Sequence, residues 1–410
     1  MWRGSILGRS ESVALAAFVV LILCLPGKAS AQFSAIEDGD YALEIFNGVA
    51  LGSGRSVAMG GVALATALGS ESLSFNSASP AIRTSYSSSK WDWSAHLNWF
   101  NPELGDDFDN DSIPNQSAGS VPFITAGLVI QYKNWGVGLN VSGISRTLEI
   151  DNNARNPRLE LDSSNLQMVL ARSFFSEQLN FGFGLRLTSF NIRTQSNQIL
   201  YDLEGVNIES GLLFKPKYKS HRHGLSIQLP ITGNIKTEEI STFCLNNDSC
   251  FPLPQKAKSP LVIGYGVAFR FAKSAWNKPT QGKWRDERSL LLASDIYLIG
   301  TGDDTFGVEA FSQGQLQPVG KRKNISVRAG AEFECLPGRL RVRAGSYWEP
   351  GRFQNESGGT IPGRLHGTFG LELRFLQFRL WQKDYRLRLS FTGDFAPRYA
   401  NSGVSIGFWN

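Results

Sequence analysis

Apolar and polar residues alternate with a period of two along most of this chain, in stretches of about 8 to 12 residues separated by loops rich in Asn, Asp, Gly, Pro and Ser. That period predicts half-buried β-strands, and helical spacing is scarce. In PLVIGYGVAFRF, Leu261, Ile263, Tyr265, Val267, Phe269 and Phe271 share one face while Gly264, Gly266, Ala268 and Arg270 share the other. The same pattern predicts strands through Trp91, Trp93, Ala95, Leu97 and Trp99, through Ile124 to Tyr132, and through Trp135, Val137, Leu139 and Val141. It recurs through Leu179 to Leu187, Leu225 to Leu229 and Leu290 to Leu298.

The second face separates a soluble sandwich from a membrane barrel. Ile325, Val327, Ala329, Ala331 and Phe333 alternate with Arg328 and Glu332, and Leu340, Val342 and Ala344 enclose Arg341 and Arg343. Phe369 to Phe375 enclose Glu372 and Arg374, while Leu387, Leu389 and Phe391 flank Arg388, with Arg386 before it. A sandwich could turn those charges to solvent, but a barrel with apolar residues toward lipid and charges toward a polar lumen explains them equally directly. Aromatics near strand ends, at Trp91, Trp99, Tyr132, Trp135, Tyr201, Trp284, Tyr347, Trp348, Trp381, Tyr385 and Trp409, suit the two interfacial girdles of such a barrel. In lipid every backbone polar group must be paired, so the sheet must close. Between Trp91 and Trp409 there are about 13 to 15 strand candidates, and the even strand number of single-chain barrels selects 14. The expected fold class is therefore all-β, a transmembrane antiparallel barrel of about 14 strands. The closing GVSIGFWN alternates Val404, Ile406 and Phe408 up to an aromatic end, with Asn410 after it, and resembles the terminal strand read by outer-membrane insertion machinery.

Met1–Ala31 has the parts of a secretory signal: Arg3 and Arg9, an apolar run of 13 residues from Val13 to Leu25, and Ala29-Ser30-Ala31 before Gln32. That run is too short for a spanning helix, which needs roughly 20 residues. Cys24 follows Leu-Ile-Leu, where a lipoprotein signal carries a small residue, so no lipid anchor is expected. Removing Arg3, Arg9, Lys28 and Glu11 with the leader lowers the formal charge from +5 to +3, a balance that points away from nucleic acid as a partner. Charged residues make up 19% of the chain, below the roughly 25% of soluble domains, which again favours a membrane setting. Cys244 and Cys250 bracket LNNDS in a polar stretch, and an oxidising export route favours a loop disulfide between them over a zinc site. His221 and His223 flank Arg222, and four histidines in all give neither a metal cluster nor a triad. Ser87-Ser-Ser-Lys90 matches Ser-x-x-Lys without the motifs that accompany it in enzymes. No enzyme activity, cofactor or metal is expected. Asn101 to Val121, Thr232 to Ser259 and Ala272 to Arg288 are predicted long external loops.

The run from Gly52 to Ala81 stands apart, being glycine, alanine and serine with almost no charge. Val57 occupies the place of the third glycine of a dinucleotide loop, and no helix-strand alternation follows. A core helix over Val57 to Leu68 would carry Gly60 and Gly61 in its middle, each costing roughly 1 kcal/mol against alanine, so only a short, broken helix is expected. The sequence GSGRSVAMGG with Arg55, followed by Asn76 and Pro80-Ala81, resembles the N-terminal region of the FadL/TodX long-chain fatty-acid and hydrocarbon transporters, and is similar to PorV-type outer-membrane proteins. In this chain Ser77-Ala78-Ser79 separates Asn76 from Pro80. RVRAGSYWEPGRF from Arg341 and RLHGTFGLELRF from Arg364 resemble late strands of the same superfamily.

The resemblance implies a leader over residues 1–31, a lumenal plug or hatch over 32–88 that includes Gly52, Gly54, Arg55, Gly60, Gly61, Asn76 and Pro80, and a barrel over 89–410. It implies a protein of the cell outer membrane, in contact with its lipid, that passively takes up long-chain fatty acids or other small hydrophobic compounds. A PorV-like scaffold serving a secretion system is the alternative. The expected lumenal charges are Arg328, Glu332, Arg341, Arg343, Glu372, Arg374, Arg386 and Arg388. Guanidinium matches carboxylate bidentately, so these arginines could hold a ligand's carboxylate. The preferred reading is that they pair with Glu332, Glu372 and plug carbonyls and so hold the lumen together.

Overall fold

The computed structural model describes residues 33–409 apart from 88, 102–106, 114–121, 150–157, 195–198, 236–241, 247–248, 281–283 and 381–382. The expected leader with its Cys24, and the girdle residue Trp381, lie outside the described residues.

Fourteen long strands run antiparallel, each paired with the next in sequence. They are β1 (Trp91–Asn101), β2 (Phe123–Tyr132), β3 (Trp135–Glu149), β4 (Arg158–Phe174), β5 (Leu179–Thr194), β6 (Ile199–Phe214) and β7 (His221–Gln228), then β8 (Val262–Ala272), β9 (Ser289–Ile299), β10 (Asn324–Leu336), β11 (Leu340–Glu349), β12 (Arg364–Leu380), β13 (Lys383–Ala396) and β14 (Tyr399–Trp409). Ile231–Ile235 continues β7 and Lys256–Ser259 precedes β8. β14 pairs back onto β1, from Ser402 opposite Asn101 to Trp409 opposite Ser94. The barrel is closed, which leaves no open edge in lipid. No described helix is long and apolar enough to cross a membrane; strands make the crossing.

Phase decides which side chain meets what. Val137 and Phe369 are each 56% exposed on the outer face, whereas Asn140 at 3% and Glu372 at 0% are buried on the inner face. Trp91, Trp99, Tyr132, Trp135 and Trp348 stand outward as girdle aromatics should, and Tyr385 lies on the outer side beneath Trp93, Phe378 and Phe408. Tyr201 and Tyr347 correct the girdle reading, since both are buried in the interior, and so does Trp284, which faces the inner arginines beneath Arg386 at 4.2 Å. Tyr347 is in phase with Arg343 and donates to Asp394 Oδ2 at 2.7 Å. Tyr201 shares its face with Leu203 and packs edge-on against Phe190.

The two ends of the barrel differ. Lys133-Asn134, residues 175–178 and residues 337–339 are short turns at one end, while longer connections such as 300–323 and 350–363 gather at the other. The described residues of the predicted external loops after Asn101 and Thr232 lie at this long-loop end. The third, Ala272 to Arg288, lies instead beside the short turns, because β8 runs toward that end and β9 away from it. There Trp276 stacks under the Arg222 guanidinium at 3.8 Å.

A tilted strand crosses a bilayer with roughly 9–11 residues, and β4, with 17 residues, overshoots. β5 and β6, of 16 residues each, do the same. The surplus projects at the long-loop end, where Leu159, Leu161, Ile192 and Leu203 turn apolar side chains inward. Ile36, Tyr41 and Leu43 of the N-terminal stretch cap them, and Ala42–Glu44 is zipped in parallel to Lys256–Ser259. Cys244 and Cys250 face each other across a small hairpin of the same end and are bridged, with Cα atoms 3.9 Å apart.

Leu128, outward near the middle of β2, tests the membrane face. Leu128→Arg is expected to cost about 2–4 kcal/mol of folding free energy in vesicles, against within about 0.5 kcal/mol for a solvent-exposed sandwich position. Urea titration of refolding into vesicles separates the two.

Candidate functional site

Helix formation in the glycine-rich run is brief. Ser53 caps α1 (Gly54–Ala58) by accepting from Ser56 N, and Gly60 and Gly61 then take φ of 69° and 74°, a left-handed geometry that glycine adopts without steric cost. The short helix therefore overlaps the window Val57 to Leu68 only at Val57 and Ala58 and stops just before the glycines. From there to Ile82 the chain is almost wholly buried, against the inner faces of the strands.

Backbone meets wall directly. A Cβ on Gly136 of β3 would run into the Pro80 carbonyl, one on Gly182 of β5 into that of Ser77, and one on Gly224 of β7 into that of Leu64. Gly211 of β6 faces Asn76 and Ser77, Gly330 of β10 faces the Met59 carbonyl, and Gly345 of β11 faces Gly60 N. Six strands around the barrel thus present glycine where the inner segment touches them. The segment's polar groups are answered by wall side chains, as buried backbone requires. Gln131 Nε2 donates to Pro80 O at 2.6 Å, Gln167 Nε2 to Leu73 O at 2.8 Å and Thr392 Oγ1 to Gly54 O at 3.1 Å. Asp295 Oδ2 accepts from Ala63 N at 2.8 Å and Leu64 N at 3.0 Å. Asn76 Nδ2 spans Leu64 O at 2.9 Å and Leu212 O at 3.3 Å, and Gly52 lies against the Phe75 ring.

Six of the eight expected lumenal charges come together. Arg343 binds Glu332 at 2.7 Å and also Glu372. Arg374 reaches Glu372 at 3.1 Å, Arg388 lies 3.7 Å from it, and Arg341 lies 3.6 Å from Glu332. The inner segment joins this network through Arg55 to Glu332 at 3.1 Å and Glu71 to Arg388 at 2.9 Å. Arg328 stands apart, over the Tyr297 ring at 4.4 Å, and donates to Gly61 O at 3.3 Å. Arg386 sits at the short-turn mouth, paired with Asp286 at 2.5 Å. Sequence reasoning missed Glu71, Glu334 and Asp295, although Glu334 is in phase with Glu332. It also missed a second buried cluster in which His366 bridges Glu349 at 2.8 Å and Asp394 at 2.9 Å, with Tyr347 OH accepting from Ala50 N at 3.2 Å.

Two cavities flank the segment. The one toward the long loops is about 240 Å³, with Phe46, Leu51, Phe75 and Ile144 opposite Asn140, Ser142, Asn165 and Thr188. The one toward the short turns is about 150 Å³ and lined largely by arginines, with Trp276, Trp284 and Tyr86. Beside the first, the ladders between β6, β7 and β8 lapse around Pro230 and Pro260, resuming only at Ile231 with Ser259 and at Asn234 with Glu204. Proline has no N–H to continue them.

No family model matches the chain, and no curated protein matches it by sequence. Solved structures do. CymD, a monoaromatic hydrocarbon channel, is 13% identical and aligns over 89% of this chain and 98% of its own, with a TM-score of 0.56. The P. putida toluene transporter TodX is 15% identical over 90% of this chain and 99% of its own, with a TM-score of 0.52. A Pseudomonas aeruginosa FadL homologue is 11% identical over the same shares, with a TM-score of 0.51. The chain has the fold of the FadL/TodX barrels.

Two substitutions probe the contacts. Gly182→Val is expected to leave a heat-modifiable barrel but to cost about 1–3 kcal/mol by overpacking and to expose residues 74–82 to limited proteolysis. Glu372→Gln, which strands several guanidiniums, is expected to lower stability by about 3–5 kcal/mol, read from the urea midpoint.

Proposed function

We propose that this protein is an outer-membrane channel for passive uptake of small hydrophobic compounds, with the segment around residues 52–82 acting as a plug. The observation that carries the reading is the cavity of about 240 Å³ seated directly on a segment whose backbone touches the wall on many sides. That volume lies above the roughly 150 Å³ that accommodates benzene and below the roughly 300–1,000 Å³ of drug-sized ligands. A compound of one ring or a short chain fits, whereas a long-chain acid would leave much of its length outside. The channels of similar fold named for monoaromatic hydrocarbons and toluene support the same choice of substrate.

In this reading the long loops face outward and the short turns face the periplasm. The ligand enters from the loop end, displaces water from the apolar side of the cavity, and leaves when the plug shifts or through the interrupted ladder at Pro230 and Pro260. The clustered arginines serve to hold the plug, because Arg55, Arg341, Arg343, Arg374 and Arg388 each already reach a carboxylate. The terminal strand β14, with Val404 and Ile406 outward, acts as the signal to the insertion machinery.

Vesicle uptake of toluene and of a long-chain fatty acid by purified protein tests this. Toluene is expected to enter faster, Ser142→Trp to slow it by occluding the cavity, and removal of residues 52–82 to open a pore that conducts small ions in planar bilayers. Uptake by Ser142→Trp at the unmodified rate, in a protein that still shows the heat-modifiable band, would remove the cavity from the route.

A further inference from the structure

The histidine count points away from a metal, but a hard cation needs only oxygen ligands, and the long-loop end gathers them. In the loop after β1, Asp107, Asp109 and Asp111 recur at every second residue, are all buried, and bring one carboxylate oxygen each to within 4.8 Å of the others. Asp107 is committed to the fold of the loop, its Oδ1 accepting from Asp111 N at 3.1 Å and its Oδ2 from Ser112 N at 3.2 Å. Asp109 Oδ1 and Asp111 Oδ2 have no hydrogen-bond partner.

A fourth carboxylate arrives from a remote part of the chain. Glu309 lies in α2 (Val308–Ser312), between β9 and β10, and is 3% exposed. Its Oε1 accepts from Arg146 Nη1 at 2.6 Å, and the same nitrogen lies 3.9 Å from Asp109 Oδ2. Its Oε2 is buried without a partner. Arg146 thus joins Glu309 to the aspartate loop. Among the described residues two cations contact these four acids, Arg146 and Arg398, the latter 3.3 Å from Asp107. Arg364 donates to the carbonyls of Asp107 and Phe108 and pairs with Glu349.

We propose that Asp107, Asp109, Asp111 and Glu309 bind one calcium-type divalent cation, which clamps the loop after β1 to α2 at the long-loop end. The three unpartnered oxygens, completed by further carboxylate oxygens and waters, suit the six to eight oxygen ligands that Ca²⁺ takes in flexible geometry. Zn²⁺ prefers nitrogen and sulfur ligands, and Mg²⁺ demands a near-octahedral shell with retained waters. Three buried carboxyl oxygens without a partner in one place are costly unless a ligand such as a cation takes them.

The test uses the full-length protein refolded in detergent, titrated with CaCl₂ in a calorimeter, with MgCl₂ for comparison. One saturable calcium site is expected, with Kd on the order of 10⁻⁴–10⁻³ M as in extracellular calcium modules, and an unfolding midpoint that rises with calcium and falls with EGTA. Asp111→Asn and Glu309→Gln should each weaken binding about tenfold or more. In EGTA Asp111→Asn, which keeps the acceptor for Ile113 N, should unfold no earlier than the unmodified protein, whereas Glu309→Gln strands Arg146 and should unfold earlier with or without calcium. Absence of a saturable calcium heat in the unmodified protein overturns the proposal, as does wild-type affinity in both variants. A calcium-independent loss of stability in Asp111→Asn also overturns it, because it would assign that acid to the fold of the loop alone.

Discussion

The contact on which the rest depends is backbone against backbone at the glycines of the barrel wall. A strand whose inward residue is glycine lets a second chain approach to peptide contact, and Gly136, Gly182, Gly211, Gly224, Gly330 and Gly345 do this on six strands. Any side chain at those positions would hold the inner segment off and open an annular gap. Small residues on the segment meet the same need from the other side, which is why Ala58, Ala63, Ala65 and Ala78 are buried there. A barrel of 14 strands is too wide for its own side chains to fill, so the tightness of the lumen is set by how closely that segment can sit.

Electrostatics follows from this geometry. With the wall reduced to glycine at some levels, the long polar side chains concentrate at others, and they reach inward to the segment's own backbone. Gln131, Gln167, Thr368 and Thr392 donate to its carbonyls, and Asp295 accepts from two of its amides. The Arg and Glu cluster is nearer the short turns and closes around Arg55 and Glu71, so the one basic and the one acidic anchor of the segment are both neutralised by wall residues. Each wall charge is thus placed by its phase on a strand, and each segment charge by the turn that precedes it.

Phase was legible in the sequence because it is a local property. Alternation through Ile325 to Phe333 or Leu340 to Ala344 assigns inner and outer faces residue by residue, and the number of such stretches gives the strand count. Tyr201 and Tyr347 were misplaced where nearness to a strand end was weighed above phase, although Tyr347 is in step with Arg341 and Arg343. Long-range contacts were not legible. Nothing near Gly182 announces Ser77, which lies more than a hundred positions earlier, and a glycine in a strand reads as a weak strand former until its partner is seen. Asp107 to Asp111 likewise reads as a polar loop, because Glu309 approaches it only through the closed barrel. The direction of Ala272 to Arg288 required counting every strand before it.

How firmly the inner segment is held is a question of what kind of contact holds it. Its side chains are small, so the apolar area it buries is modest, and at roughly 25 cal/mol per Å² that area contributes less than a core of leucines of equal length would. Its hydrogen bonds are numerous, but each contributes only about 0.5–1.5 kcal/mol net when water can take its place, and the polar faces of both adjoining cavities would bring water to the broken bonds. The ion pairs are the exception, since separating Arg55 from Glu332 leaves charge in a confined space. A segment fixed by exchangeable hydrogen bonds along its length and by ion pairs at two points resists wholesale extraction while yielding locally. For the uptake proposed above, local yielding would suffice for a compound of one ring without any change in the shape of the barrel.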